Sequence, residues 1–279
     1  MDAPYAKLEQ LEPGIARVLA HNPSAFTYYG TQTYLLGEDD VAIVDPGPDI
    51  PDHLKALEHA IGGRRVAAIM CTHTHRDHSP ASRPLAQATG APIIGCASLS
   101  MDGTGLEAGF DAAYAPDRVL RDGEAIAVDG KPVEAVATPG HTSNHLCFAF
   151  GDALLSGDHV MGWSTTVVVP PDGDMAEYMR SLDKLRQRDD RVYYPAHGPP
   201  VTNPKQYVRH LIGHRMQREK QILRLVRERA RDIPEIVAKA YPGLDARLVA
   251  AAGGSVLAHL VDLERRGLVE RREQQWTAV

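Results

Sequence analysis

The sequence has few cysteines and no long apolar run. Its three cysteines, Cys71, Cys96 and Cys147, are odd in number and widely spaced, which excludes a disulfide scaffold and suggests free thiols in a reducing compartment. Uninterrupted apolar stretches such as "VAAIMC" are far too short to span a bilayer, so no membrane partner is expected. The opening "MDAPYAKLEQLEPGIARVLAHN" lacks the basic segment and apolar core of a secretory leader, and the cytoplasm is the expected location. No internal repeat or low-complexity segment is evident. What remains, 43% apolar and 24% charged residues in a chain of 279, suits one large globular domain with a smaller companion.

Charge is shared unevenly. Residues 1–204 carry 15 Lys and Arg against 27 Asp and Glu, a balance of −12, and residues 205–279 carry 15 against 9, a balance of +6, giving the net −6. The two parts are expected to meet different partners, or each other.

Short apolar runs ending in turn signals recur through the first 200 residues. "VAIV" (41–44) runs into Asp45-Pro46-Gly47, "VAAIM" (66–70) into a histidine cluster, and "VEAVA" (133–137) into Pro139-Gly140-His141. "ALLS" (153–156) runs into Gly157-Asp158-His159, and "VYY" (192–194) into Pro195-Ala196-His197-Gly198. These read as buried strands. Helical patterns lie between some of them: "PDHLKALEHAIGG", and "SPASRPLAQATG" with Ser79 as cap, Pro80 at the first position and Gly90 as stop. The alternation implies a layered α/β domain. From about Pro204 the texture changes to a long basic helical stripe, two further helices and an alternating tail, "LVERREQQWTAV". Helix, helix and small β-wing make a winged-helix pattern. The expected division is a domain over 1–204, a connecting basic helix over 205–230 and a winged helix over 231–279.

The stretch "CTHTHRDHSP" carries the chemistry. Three imidazoles and a carboxylate, His73, His75, Asp77 and His78, fall within six residues just past a strand, with Asp77 and His78 expected to open the next helix. Solvated rings have no reason to gather so closely unless something shares their lone pairs. His141, Asp158 and His197 follow other strand ends by one to five residues, where sites collect in α/β sheets. Neutral imidazole and carboxylate are ligands for zinc, with iron or manganese as competitors.

"HTHRDH", "PGHT", "GDH" and "PAHG", in this order, resemble the motif series of the metallo-β-lactamase superfamily. The resemblance implies a four-layer αββα sandwich holding two zinc ions: one on His73, His75 and His141, a second on Asp77, His78 and His197, with Asp158 bridging. Asp45 matches the early aspartate that orients the ligand loop from behind. "MGWSTTVVVPPDGDMAEYMRSLDKL", "PAHGPPVTNP" and the winged-helix tail look further like the β-lactamase-like 2 branch, of which one member is an endoribonuclease on single-stranded RNA. The implied activity is hydrolysis by a metal-bridging hydroxide, with Asp77 orienting it and His145 the nearest candidate to protonate the leaving group. Single-stranded RNA is the first expected substrate. Small acyl compounds (thioesters, lactones, esters, weakly β-lactams) are the alternative, and a metal-sensing winged-helix regulator stands third. A homodimer is left open. Arg209, Arg215, Arg218, Lys220, Arg224, Arg227, Arg229 and Arg231 on the basic helix can track phosphates or pair with the acidic first part. Trp163 can stack on a base or pack, His210 and His214 read as surface or interdomain residues, and Cys71 reads as packing.

Overall fold

The computed structural model describes residues 4–105 and 109–279. Two compact units emerge, the first comprising residues 1–138, 144–164 and 189–203 and the second 139–143, 165–188 and 204–279.

In the first unit seven strands follow one another across one sheet: β1 (Leu8–Glu12), β2 (Ile15–Leu19), β3 (Gln32–Leu36), β4 (Asp40–Val44), β5 (Arg65–Cys71), β6 (Ile93–Gly95) and β7 (Arg118–Val119). The first four are antiparallel and β4 through β7 parallel. Helices α1 (Pro51–Ile61) and α2 (Ser82–Thr89) fill the first two parallel crossovers. Both stop at glycines with left-handed φ, 62° at Gly62 and 71° at Gly90, as their sequences signal. Helix α2 begins later than its sequence suggests. The Ser79 hydroxyl donates to Asp111 Oδ2 at 3.0 Å rather than capping the helix. Asp77 and His78 therefore lie in the turn before α2, not on a helix.

A second sheet has the order β12–β11–β10–β9–β8, built from β8 (Ala125–Val128), β9 (Lys131–Ala137), β10 (Leu146–Phe150), β11 (Ala153–Gly157) and β12 (Val192–Pro195). Only the β11–β12 pair is parallel. The two sheets share a core in which Tyr34, Leu36, Val44 and Met70 meet Val133, Phe148, Phe150 and Leu155. On the other face of the first sheet, Leu35, Ile43 and Ile69 bury against Leu57 and Ile61 of α1 and Leu85 of α2. Cover on both faces explains why the central strands read as unbroken apolar runs. Each such side chain contributes roughly 1.5–3 kcal/mol by burial. Parallel pairing puts the ends of β4 and β5 at one edge and those of β11 and β12 at another. Leu146 N donates to Thr72 O at 2.8 Å and joins the two sheets there.

The second unit contains α3 (Met175–Arg186), α4 (Pro204–Arg227), α5 (Ile233–Ala240), α6 (Val249–Arg265), and a ribbon of β13 (Val269–Arg272) and β14 (Gln275–Ala278). The basic stripe is thus one helix of 24 residues, and the tail is the β-wing. Ile222 and Leu225 of α4, Ile236 of α5, Val256 and Leu260 of α6 and Trp276 of β14 close its core. Among the described residues the segment Ala246–Arg265 is the one helix long and apolar enough to cross a membrane. Its buried residues Ala252, Val256, Leu260 and Leu263 belong to this core.

Candidate metal centre

Asp45 closes β4 with a φ of 48°, and its carboxylate organises the loop beyond β5. It accepts from Thr72 N at 2.8 Å, from the Thr72 hydroxyl at 2.9 Å and from His78 Nδ1 at 3.1 Å. A carboxylate can only accept here, so His78 carries its hydrogen on Nδ1 and turns Nε2 inward as the lone-pair nitrogen. That Nε2 is buried without a hydrogen bond and faces Asp77 Oδ2 at 3.4 Å and Asp158 Oδ2 at 3.6 Å. His197 follows the same logic. Its Nδ1 donates to Gly30 O at 3.1 Å, leaving Nε2 toward Asp77 Oδ2 at 3.1 Å and Asp158 Oδ1 at 3.3 Å.

His73 has its Nδ1 at 2.9 Å from Thr72 Oγ1. The one hydroxyl hydrogen of Thr72 goes to Asp45, so His73 donates and its Nε2 points to His75 Nδ1, 2.8 Å away. His141 Nδ1 donates to Val167 O at 2.6 Å. One ligand atom each from His73, His75, His141 and Asp158 lie within 4.8 Å of one another, and so do one each from Asp77, His78 and His197. All seven residues named from the sequence are thus brought into two groups. Asp158 belongs to the first and faces both histidines of the second.

The residues fit divalent ions. Inward lone pairs set against carboxylates repel unless positive charge lies between them. Protons can supply that charge. Burial opposes a charged His78, yet Asp77, Asp158 and Asp45 outweigh it and hold the ring well above its ordinary range. At His197 burial is likewise overcome by Asp158 and Asp77. Burial would raise Asp77, but His78 and His197 hold it well below the usual carboxylate range. The donor set, imidazole nitrogen and carboxylate oxygen, is that of zinc, iron or manganese.

Several supporting residues carry no sequence signature. Thr72 links Asp45 to His73, and the Thr31 hydroxyl donates to Asp77 Oδ2 at 3.3 Å. Asp111 accepts from Ser79 and from Arg83 at 2.8 Å, bracing the ligand turn. At Gly157, with φ of 49°, a Cβ would sit 2.7 Å from His145 Nε2 and 2.9 Å from Thr72 Oγ1, so the strand end approaches closely only as glycine. His145 is 1% exposed, with Nε2 accepting from Asp158 N at 3.2 Å and Nδ1 at 2.9 Å from Thr138 Oγ1. Cys71 packs in the shared core, where burial pushes its thiol well up. Trp163 stacks on Tyr28 at 5.0 Å. His210 and His214 join no cluster of three such ligands among the described residues.

Residues 27–197 match the metallo-beta-lactamase superfamily, and residues 233–276 match the beta-lactamase associated winged helix domain. A beta-lactamase-like protein 2 homolog of Caenorhabditis elegans is 33% identical over 231 residues, 79% of this chain and 74% of its own. An atrochrysone carboxyl ACP thioesterase of Aspergillus fumigatus is 30% identical over 264 residues, 92% of this chain and 78% of its own. The crystal structure of a beta-lactamase domain protein from Burkholderia ambifaria matches with a TM-score of 0.84 at 20% identity, over 100% of this chain and 95% of that one. At that identity the likeness concerns the fold.

Proposed function

The chain belongs to the metallo-beta-lactamase superfamily and is a metal-dependent hydrolase; from that premise we propose that its substrate is an activated acyl compound, a thioester first among them. The observation that carries this reading is a braced, apolar loop against the ligands. Phe26, Tyr28 and Tyr29 are 46%, 38% and 46% exposed, on the segment whose Gly30 carbonyl and Thr31 hydroxyl touch His197 and Asp77. Asn22 holds that segment through Thr31 N at 2.9 Å, and Ser24 Oγ accepts from Phe26 N at 3.0 Å. Exposed rings fixed beside a polar centre favour an apolar substrate body with one polarised group. A relative named as a thioesterase supports the same class. Of the arginines of the ligand turn, Arg83 is neutralised by Asp111 and Arg76 is tied through Nε to Phe110 O.

We assign His73, His75 and His141 to one ion, Asp77, His78 and His197 to another, and Asp158 to both. When bound, such ions ionise water near neutral pH and polarise the attacked carbonyl. Asp77, whose side chain is 26% exposed, orients the attacking water through its open oxygen. Asp45 fixes the tautomer of His78 and, through Thr72, that of His73. His145 is assigned to positioning rather than proton donation, because its ring lies between Thr138 and the Asp158 amide.

The same rings favour a second reading, single-stranded RNA, since bases stack on exposed aromatics and residues 205–279 carry +6. Parallel turnover of thioesters, esters, lactones and single-stranded RNA by zinc-loaded protein separates the two. Acyl turnover with KM raised and kcat held in Tyr28→Ala is the expected result. RNA cleavage that Asp158→Ala abolishes, with acyl compounds untouched, would reverse the order.

A further inference from the structure

Among the described residues, four basic side chains of the second unit, buried Arg215 and His259 and half-buried His214 and Arg218, have no ion pair with a carboxylate. Arg215 is 3% exposed in the apolar stripe of α4. Its partners are neutral: it donates to Thr166 O and lies 5.1 Å over the Tyr178 ring. Arg218, one turn on, donates to Ala240 O at 2.6 Å and to Gln221 Oε1 at 2.7 Å and lies over Tyr241 at 4.0 Å. His259 of α6 is 1% exposed, and neither of its ring nitrogens has a hydrogen-bond partner. His214 Nδ1, Arg215 Nε and Arg218 Nε are buried without partners too. Five unsatisfied nitrogens on two packed helices are an anomaly, because buried polar groups in folded chains are nearly always bonded. Buried charge without a counter-charge is costlier still.

Nearby acids do not resolve it. Glu219 and Asp262 pair with Arg266, at 2.7 and 3.2 Å. Burial first, then the charges of Arg215, Arg218, His214 and Arg266, push His259 down to about 3, as expected where positive charge gathers. Burial and the same two arginines lower His214 as well.

We propose that Arg215, Arg218 and His259, with His214 beside them, form a site for one phosphate group between α4 and α6, separate from the metal centre. A tetrahedral oxyanion accepts several donors at once and matches the guanidinium fork. The group can come as free inorganic phosphate or on a phosphate monoester. By occupying the site it would tie the basic helix to the winged-helix core, so the site is also a means of coupling ligand binding to the order of the second unit.

The test is isothermal titration of the full chain with inorganic phosphate and, in a second arm, with glycerol 3-phosphate, in chloride of matched ionic strength. Expected is saturable binding of one phosphate per chain. Arg215→Met and His259→Leu should each weaken it at least about tenfold, the worth of one charge-assisted hydrogen bond. Arg227→Ala, on the exposed part of the same helix, should leave it unchanged. Circular dichroism confirms folding, and Arg218→Lys serves as the milder variant if Arg215→Met does not fold. Binding of the monoester as tightly as phosphate means the group enters as part of a larger molecule. No saturable binding in either arm, binding that Arg227→Ala weakens as much as Arg215→Met, or thermal stabilisation that chloride reproduces would overturn the proposal, leaving ordered water as the occupant.

Discussion

In the first unit the imidazoles of the ligand loops lean on oxygen, His78 on Asp45, His197 on Gly30 O and His73 on Thr72, whereas His259 in the second unit has no hydrogen-bond partner on either nitrogen and feels the positive charge of Arg215, Arg218 and Arg266. The same side chain is thereby given opposite tasks. A ring that donates from one nitrogen offers the other to a cation, and the carboxylates around it ask for positive charge. A ring held neutral among arginines marks a place short of negative charge. Composition alone shows only half of this, since −12 in residues 1–204 and +6 in 205–279 describe surfaces as much as sites.

Breaking the first half of the contrast should have the largest effect. Asp158 belongs to one ligand group and faces both histidines of the other, so Asp158→Asn should cut hydrolysis at least about a hundredfold, beyond the 10–100-fold typical of a residue behind the ligands. Metal content measured on the same preparation should fall with it. Asp45→Asn turns one of two accepting oxygens into a donor, which upsets the bonds that set two tautomers, and should weaken metal affinity by about 10–100-fold. Full activity and metal content in Asp45→Asn would mean that the loop orients His78 without it.

Much of the first half was legible beforehand because its spacing is local. "HTHRDH" places four candidates in one turn, and His141, Asp158 and His197 each follow an apolar run that the fold makes a strand. What supports them was not legible. Thr31 reaches Asp77 across 46 positions and Asp111 claims Ser79 across 32, and no periodicity encodes such pairings. The Asp111 bond holds Ser79 in the ligand turn, and α2 starts three residues later at Ser82. The helices of the second unit were legible from their 3.6-residue stripe. Arg215 was read as part of a basic face, but it occupies a core position in that stripe, and only packing reveals where its charge is left.

Acid should sharpen the contrast by a smaller amount. His259 is pushed down to about 3 and His53, behind the Asp45 loop, to about 4, in both cases mainly by burial. An unfolded histidine takes up its proton near 6.5, so below that pH the unfolded chain binds protons the folded chain refuses. Stability is therefore whole above about pH 6.5 and declines as pH falls toward the folded values, by up to about 1.4 kcal/mol per pH unit for each ring. The chain has two tryptophans, Trp163 in the first unit and Trp276 buried in the second, and each reports its own region once the other is replaced. In phosphate-free denaturant titrations, His259→Leu should flatten the slope between pH 6.5 and 4 for Trp276 alone. An unchanged slope would show that His259 is reached by water.

The smallest effect belongs to a cation of the second unit that does have its counter-charge. Arg265 pairs with Asp174, and the arginine side chain is 58% exposed. A pair so open to solvent is worth well under about 1 kcal/mol, so Arg265→Ala should barely move the unfolding midpoint. Asp174 has a second duty, since its Oδ1 accepts from Glu177 N at 3.0 Å and caps α3. Asp174→Ala should therefore cost about 1 kcal/mol, while Asp174→Asn, which keeps an acceptor for the cap, should resemble Arg265→Ala. The order of the three variants separates a surface ion pair from a cap. If Arg265→Ala destabilised the second unit as much as Asp174→Ala, charge would be scarce there in general, and the want of a counter-charge at Arg215 would no longer single out a site.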